Sequence, residues 1–99
     1  MGKRKISIRE SASESIAEIA WFIESKGMPA TAERFSDDVY DAIEKLADER
    51  VKHSACKEPE RNSIGLKCIP FKKKYTVVFF ESDNEIIIHE FIASKLIRW

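Results

Sequence analysis

The spacing of apolar residues changes period along the chain, and each change marks an element. Lys5-Ile-Ser-Ile-Arg9 alternates polar and apolar residues, the period of a short strand with one buried face. Behind it Ala12, Ile16, Ile19, Ala20 and Ile23 fall at helical spacing. Ser11 followed by Glu14 matches a capping box, and Gly27 is a natural stop. The pattern predicts a first helix over about residues 12–25. Pro29 suits the first turn of a second helix, where a missing N–H costs nothing. Ala32, Phe35, Val39, Ala42, Ile43, Leu46 and Ala47 then hold one face as far as about residue 49, and Asp37, Asp38, Asp41 and Glu44 occupy much of the rest. So short a connection implies an antiparallel helical hairpin.

Residues 50–64 show no lasting period and contain Pro59, which reads as a surface loop. Beyond Gly65 three β runs follow, Leu66 to Phe71, Tyr75 to Glu81 and Glu85 to Ala93. Lys72-Lys-Lys74 and Ser82-Asp-Asn84 separate them, and connections this short make successive antiparallel neighbours. Neither helix can leave its apolar stripe in water, so one sheet face must cover both. The expected fold is a two-layer α+β domain over residues 1–99, in the order β-α-α-β-β-β: an N-terminal strand, a helical hairpin and a three-stranded antiparallel meander. The first strand joins the sheet as an edge or beside the last strand.

Composition adds limits. Hydrophobic residues make up 43% of the 99 and aromatics 10%, enough for one modest core rather than disorder. The net charge of +0 removes any whole-molecule field that would draw in nucleic acid. Its distribution is uneven, with eight Lys/Arg against eleven Asp/Glu in residues 1–50 and nine against six in residues 51–99. An anion-binding surface is therefore expected in the second half. The basic start Met-Gly-Lys-Arg-Lys leads into no apolar signal core, and no apolar run approaches the ~20 residues of a membrane helix. Cys56 and Cys68 lack the CxxC spacing of redox or zinc-ribbon motifs. They are expected as free thiols in a reducing, cytoplasmic setting, with Cys68 packed in a strand.

Candidate chemistry is sparse. Lys72, Lys73 and Lys74 at a hairpin tip suit phosphate contact as point charges, but turn lysines also keep a hairpin soluble and unpaired. His53, Cys56, Cys68 and His89 supply zinc-type donors, but only His53-x-x-Cys56 has local spacing, and it lies in the loop. No metal or cofactor is expected. Metal-free RNA cleavage needs a base, an acid and cations for the phosphate. Lys67, Tyr75, His89 and Arg98 are the materials offered, and their spacing does not show that they converge. Ser11, Ser13 and Ser15 suit capping and an exposed helix face better than nucleophilic attack. There is no phosphate-binding Gly-rich loop. Trp21 and Phe22 widen the first helix's stripe beyond what one sheet face covers, and Trp99 ends the chain. They present a partner surface, or Trp21 caps the core edge and Trp99 folds back on it.

With the elements in this order the chain resembles toxins of the RelE/ParE superfamily, found in type II toxin–antitoxin modules. The resemblance runs from about Lys5 to Arg98. It rests on Ile-Ser-Ile before a helix ending Glu18-Ile-Ala-Trp-Phe-Ile23, and on Ala32-Glu-Arg-Phe35 opening a helix that ends Ile43-Glu-Lys-Leu-Ala47. Gly65-Leu-Lys-Cys-Ile-Pro-Phe71, Tyr75-Thr-Val-Val-Phe79 and Glu85-Ile-Ile-Ile-His-Glu-Phe-Ile92 complete it. RelE-like members cleave messenger RNA in the ribosome with cations on the central strands and near the C-terminus. Position by position, Lys67 matches a strand lysine and Lys95 a basic residue after the last strand. Ile69, Thr76 and Leu96 stand where further cations belong, and the chain stops at Trp99, before the helical tyrosine of some members.

The resemblance therefore favours the ParE branch, whose characterised members poison DNA gyrase and are neutralised by a small antitoxin. It implies a cognate antitoxin as partner, with Trp21, Phe22 and Trp99 on its binding face, and Lys72, Lys73, Lys74 and Arg98 as contacts to an anionic target. It implies no membrane, and it is compatible with an oligomer. Two rivals remain, a ribosome-dependent endoribonuclease built on Lys67, Lys72–Lys74, His89 and Lys95, and a non-toxic member that acts only by binding a partner.

Overall fold

Ile6 and Ile8 carry the apolar side of β1 (Lys5–Ile8), the first element of the computed structural model, which describes residues 3–48 and 52–96. The helical hairpin follows as α1 (Glu10–Ser25) and α2 (Pro29–Lys45), then a one-turn α3 (Pro59–Ser63). Three strands complete the sheet, β2 (Lys67–Phe71), β3 (Tyr75–Glu81) and β4 (Glu85–Ala93), with a 3-10 turn at Ser94–Leu96. The sheet order is β1-β4-β3-β2. β1 is thus both an edge and the neighbour of the last strand, and it runs parallel to β4 with Lys5 opposite Glu85 and Ile8 opposite Ile88. The meander is antiparallel throughout. The two-layer α+β fold expected from the sequence is the one observed.

Three local expectations change. The capping box at Ser11 does not form: Arg9 is the N-cap of α1, with no side-chain cap bond. The cause is β1, which feeds straight into the helix, for Arg9 N–H still donates to the Ile88 carbonyl at 3.0 Å. Ser11 therefore lies inside the first turn, where its carbonyl accepts from Ser15 Oγ at 3.0 Å. α2 stops at Lys45, while Leu46 and Ala47 remain buried in the turn that follows. The expected surface loop is partly structural, because it holds α3 and buries both Cys56 and Glu58. Pro29 and Gly27 act as expected, Pro29 opening α2 and Gly27, at φ 81°, closing α1.

One face of the sheet carries the main core. Ala12 and Ile16 of α1, and Phe35, Val39 and Ile43 of α2, pack on Phe71, Val77, Phe79, Ile86, Ile88 and Phe91. Phe35, Phe71, Tyr75 and Phe91 form a ring cluster with centroids 5.2 to 6.1 Å apart. Burying each such side chain contributes about 1.5–3 kcal/mol. A register shift between Val78 and Phe79 pairs Val78 with Glu90 and Phe79 with Ile88, leaving His89 as the extra residue of β4. That bulge lets Ile88 and Phe91 face the helices although they are three positions apart. The opposite face carries a smaller cluster of Cys56, Leu66 and Val78, with Cys68, Phe80 and Ile92 against it.

The β2–β3 connection is strained in the backbone. Lys72 and Lys73 lie at φ 50° and 65°, the left-handed region that glycine enters most easily. Lys73→Gly is expected to raise stability by about 1 kcal/mol, read as a thermal midpoint roughly 4–8 °C higher. An unchanged or lower midpoint would show that the tip does not hold this conformation.

Candidate functional site

Strand pairing decides which candidate residues share a face. Lys67 stands opposite Phe79, whose ring belongs to the helix-side core, so Lys67 points to the helix side at the start of the edge strand β2. His89 lies on the other face, edge-on to Phe80 at 5.6 Å. Its Nδ1 is 2.6 Å from Arg9 Nη1. A guanidinium only donates, so Nδ1 is the accepting atom of this contact. Lys95 is exposed in the 3-10 turn beyond β4, at the end of the sheet that holds the lysine tip. Lys67, His89 and Lys95 therefore occupy different faces or ends, and the fold does not bring them together.

Of the three positions where RelE-like toxins would carry further cations, two are used for packing. Ile69 packs against the helix-side core. Thr76 is buried, and its hydroxyl shares a 2.9 Å hydrogen bond with Ser94 Oγ. Leu96 is exposed.

The lysine tip divides. Lys72 Nζ meets Asp38 Oδ2 of α2 at 2.6 Å and sits 5.6 Å from the centre of the Phe71 ring, which ties the hairpin to the helix. Both partners are well exposed, so the pair orients the tip more than it stabilises the fold. Lys73 and Lys74 are exposed. Arg98 and Trp99 lie outside the described residues.

On the helical hairpin, Trp21 is 70% exposed and Phe22 57%. Trp21 therefore does not cap the core edge. Lys26 Nζ lies 5.0 Å over the Phe22 ring. Met28, in the turn, and Tyr40, on α2, add exposed apolar surface. Between α2 and the β2 edge runs a cleft of about 560 Å³, its floor formed by Ala42, Leu46, Ile69 and Phe71 and its rim by Asp38, Asp41, Lys45 and His53.

The cysteines are not free thiols: Cys56 and Cys68 form a disulfide, with Cα atoms 4.8 Å apart. Spacing of 12 residues gave no sign of it, because a return of the chain along β2 creates the proximity. Cys56 N–H donates to the Leu66 carbonyl at 3.0 Å, and Ala55 bridges Lys67 as a short antiparallel partner. His53 Nδ1 is 2.6 Å from Glu81 Oε2, so the four zinc-type donors are engaged elsewhere. Among the described residues no group of three or more His, Cys, Asp or Glu is placed to hold a metal ion. No helix among them is long and apolar enough to cross a membrane.

Two ionic networks were invisible in the sequence, since each is closed by a pair whose members lie tens of residues apart. Arg61 of α3 makes a fork with Glu90 of β4, Nε to Oε1 at 2.9 Å and Nη2 to Oε2 at 3.0 Å, and its Nη1 meets Glu58. The Glu90 hydrogen bond raises the guanidinium pKa further, against the effect of burial. Pro59, a favoured first-turn residue, is the one sequence signal that could have marked α3. The second network is centred on Glu81. Its Oε2 forms an ion pair with Arg4 Nη1 at 3.1 Å, while Arg4 Nη2 donates to the carbonyls of Leu46 and Asp48, both at 2.9 Å. Burial pushes the Glu81 carboxyl up, but the His53 ring, the His53 N–H and the Arg4 charge together hold it below its ordinary value.

No family model matches the chain, and no curated protein matches it either. Among solved structures it is similar to a chain described as "Chromosomal ParDE TA system from P. aeruginosa", at 12% identity and a TM-score of 0.75, covering 94% of this chain and 98% of that one. So low an identity leaves the likeness one of fold. The β-α-α-β-β-β arrangement expected from the sequence is the part that this likeness covers, over nearly the whole chain.

Proposed function

We propose that this chain is the toxin of a type II toxin–antitoxin module, of the ParE kind. It acts in the cytoplasm by binding and inhibiting a cellular target such as DNA gyrase, and a cognate antitoxin neutralises it. The observation that carries the reading is the likeness in fold, over nearly its full length, to a chain of a ParDE system. Two further observations support the inhibitor over the nuclease. Ile69 is packed against the core and Thr76 is buried where cations would be needed, and Lys67 and His89 face opposite sides of the sheet. A general acid and base that cannot reach one phosphate cannot divide the work of cleavage between them.

In this reading the antitoxin covers the helical hairpin and part of the sheet, with Trp21, Phe22 and Trp99 as its contacts. Lys72, Lys73, Lys74 and Arg98 meet the target. The test is induction with and without the small open reading frame expected beside this one. Growth should stop without it and resume with it, and purified protein should inhibit gyrase supercoiling while ribosome-bound messenger stays intact. Cleavage of that messenger with supercoiling untouched would establish the nuclease instead, and unimpaired growth the non-toxic partner-binding member.

A further inference from the structure

The segment 54–66 is a strap laid along the outer edge of β2 and the sheet face away from the helices, and it starts from His53, which bonds Glu81 and packs edge-on to the Phe79 ring. Ser54 to Cys56 runs beside Lys67 and Cys68 like an added strand, with Cys68 N–H directed at the Ser54 carbonyl at 3.4 Å. α3 then carries Arg61 onto Glu90, and Leu66 and Cys56 close over Val78. None of the helix-side core residues comes from this strap. β2 is also held on its other edge by five paired positions with β3. The strap can therefore leave without removing any residue of the main core.

We propose that the Cys56–Cys68 disulfide is a redox latch, which a dithiol reductant opens to release the strap from β2 while the four-stranded domain stays folded. Cys56 is buried and Cys68 partly exposed, so an incoming thiolate attacks Cys68 Sγ. The Sγ–Sγ bond breaks, Cys56 leaves as thiolate and takes up a proton, and a mixed disulfide forms on Cys68. The reductant's second thiol resolves it, leaving two cysteine thiols and the oxidised, disulfide form of the reductant. A small disulfide such as oxidised glutathione reverses both exchanges. The remaining strap contacts are hydrogen bonds, the Arg61–Glu90 fork and apolar packing. They guide reclosure but do not lock it. Opening frees the backbone edge of Lys67 and Cys68 that the strap occupies in the oxidised state.

The test uses the full chain, oxidised and after treatment with a dithiol, followed by amide hydrogen exchange and brief proteolysis. On reduction the amides of Cys56, Leu66 and Cys68 should exchange faster by about tenfold or more, with those of β3 and β4 unchanged. Cleavage should appear between residues 54 and 66, and both changes should reverse on reoxidation. Cys56→Ser with Cys68→Ser should behave like the reduced protein. Equal exchange in both states would show that the bond is passive. Loss of protection in β3 and β4 together with the strap would show a structural staple rather than a latch. Either result overturns the proposal. The outcome is independent of toxicity, so its failure and that of the functional reading are read separately.

Discussion

Trp21→Ala with Phe22→Ala is expected to weaken antitoxin binding by at least about a hundredfold while leaving the folded domain nearly as stable as before. The asymmetry follows from exposure. At 70% and 57% exposed, these side chains contribute little apolar burial to the isolated fold. In a complex they would lose most of that surface to a partner, and buried aromatic anchors cost about 2 kcal/mol or more each when truncated. Two of them exceed the roughly 2.7 kcal/mol that a hundredfold change in affinity represents. The Lys26–Phe22 contact, at a solvent-facing site, removes about 0.5–1 kcal/mol at most from the free protein. Calorimetric titration of the antitoxin, beside thermal unfolding of each protein alone, measures both quantities. Undiminished affinity would move the antitoxin off this face of α1. A large fall in thermal midpoint would mean that the aromatics serve the fold.

What the sequence revealed follows the range of the forces involved. β3 and β4 run over the residues their patterns marked, because alternation, turn signals and burial agree there. α2 was legible from Pro29 and a seven-member apolar face. Its last apolar residues, Leu46 and Ala47, are buried outside the helix, since burial tracks the core and not the hydrogen-bond ladder. The false capping box has a tertiary cause, as the pairing of β1 with β4 fixes where the chain leaves the sheet. The face that His89 takes does not follow from alternation along β4, because a bulge breaks the period just there. The disulfide, the Arg61–Glu90 fork and the Arg4–Glu81 pair are meetings of distant segments. Local periodicity carries no trace of such meetings, so these contacts emerged only with the fold.

Glu81→Gln is expected to destabilise the domain by about 3 kcal/mol near neutral pH, the cost of removing one partner of a buried ion pair. The Glu81 side chain is 5% exposed and that of Arg4 is fully buried, so Arg4 cannot turn to water when its partner is neutralised. Glu81 also accepts from the His53 N–H at 3.1 Å, which fastens the residues after α2 to the end of β3. The effect depends on pH with a defined sign. The carboxyl's folded pKa lies below its ordinary 4.5, so this contribution is complete above about pH 4.5 and is lost as pH falls through the folded value. Glutamine has no such limb. Urea unfolding of the two proteins should therefore give curves that lie apart at pH 7 and converge in acid. Arg4→Met combined with Glu81→Gln supplies the control. If the pair acts as a unit, the double variant loses less than the two single losses together, because no buried charge is left behind. Additive losses would instead place the stabilisation in the carbonyl bonds of Arg4 to Leu46 and Asp48, which survive when the carboxylate is gone.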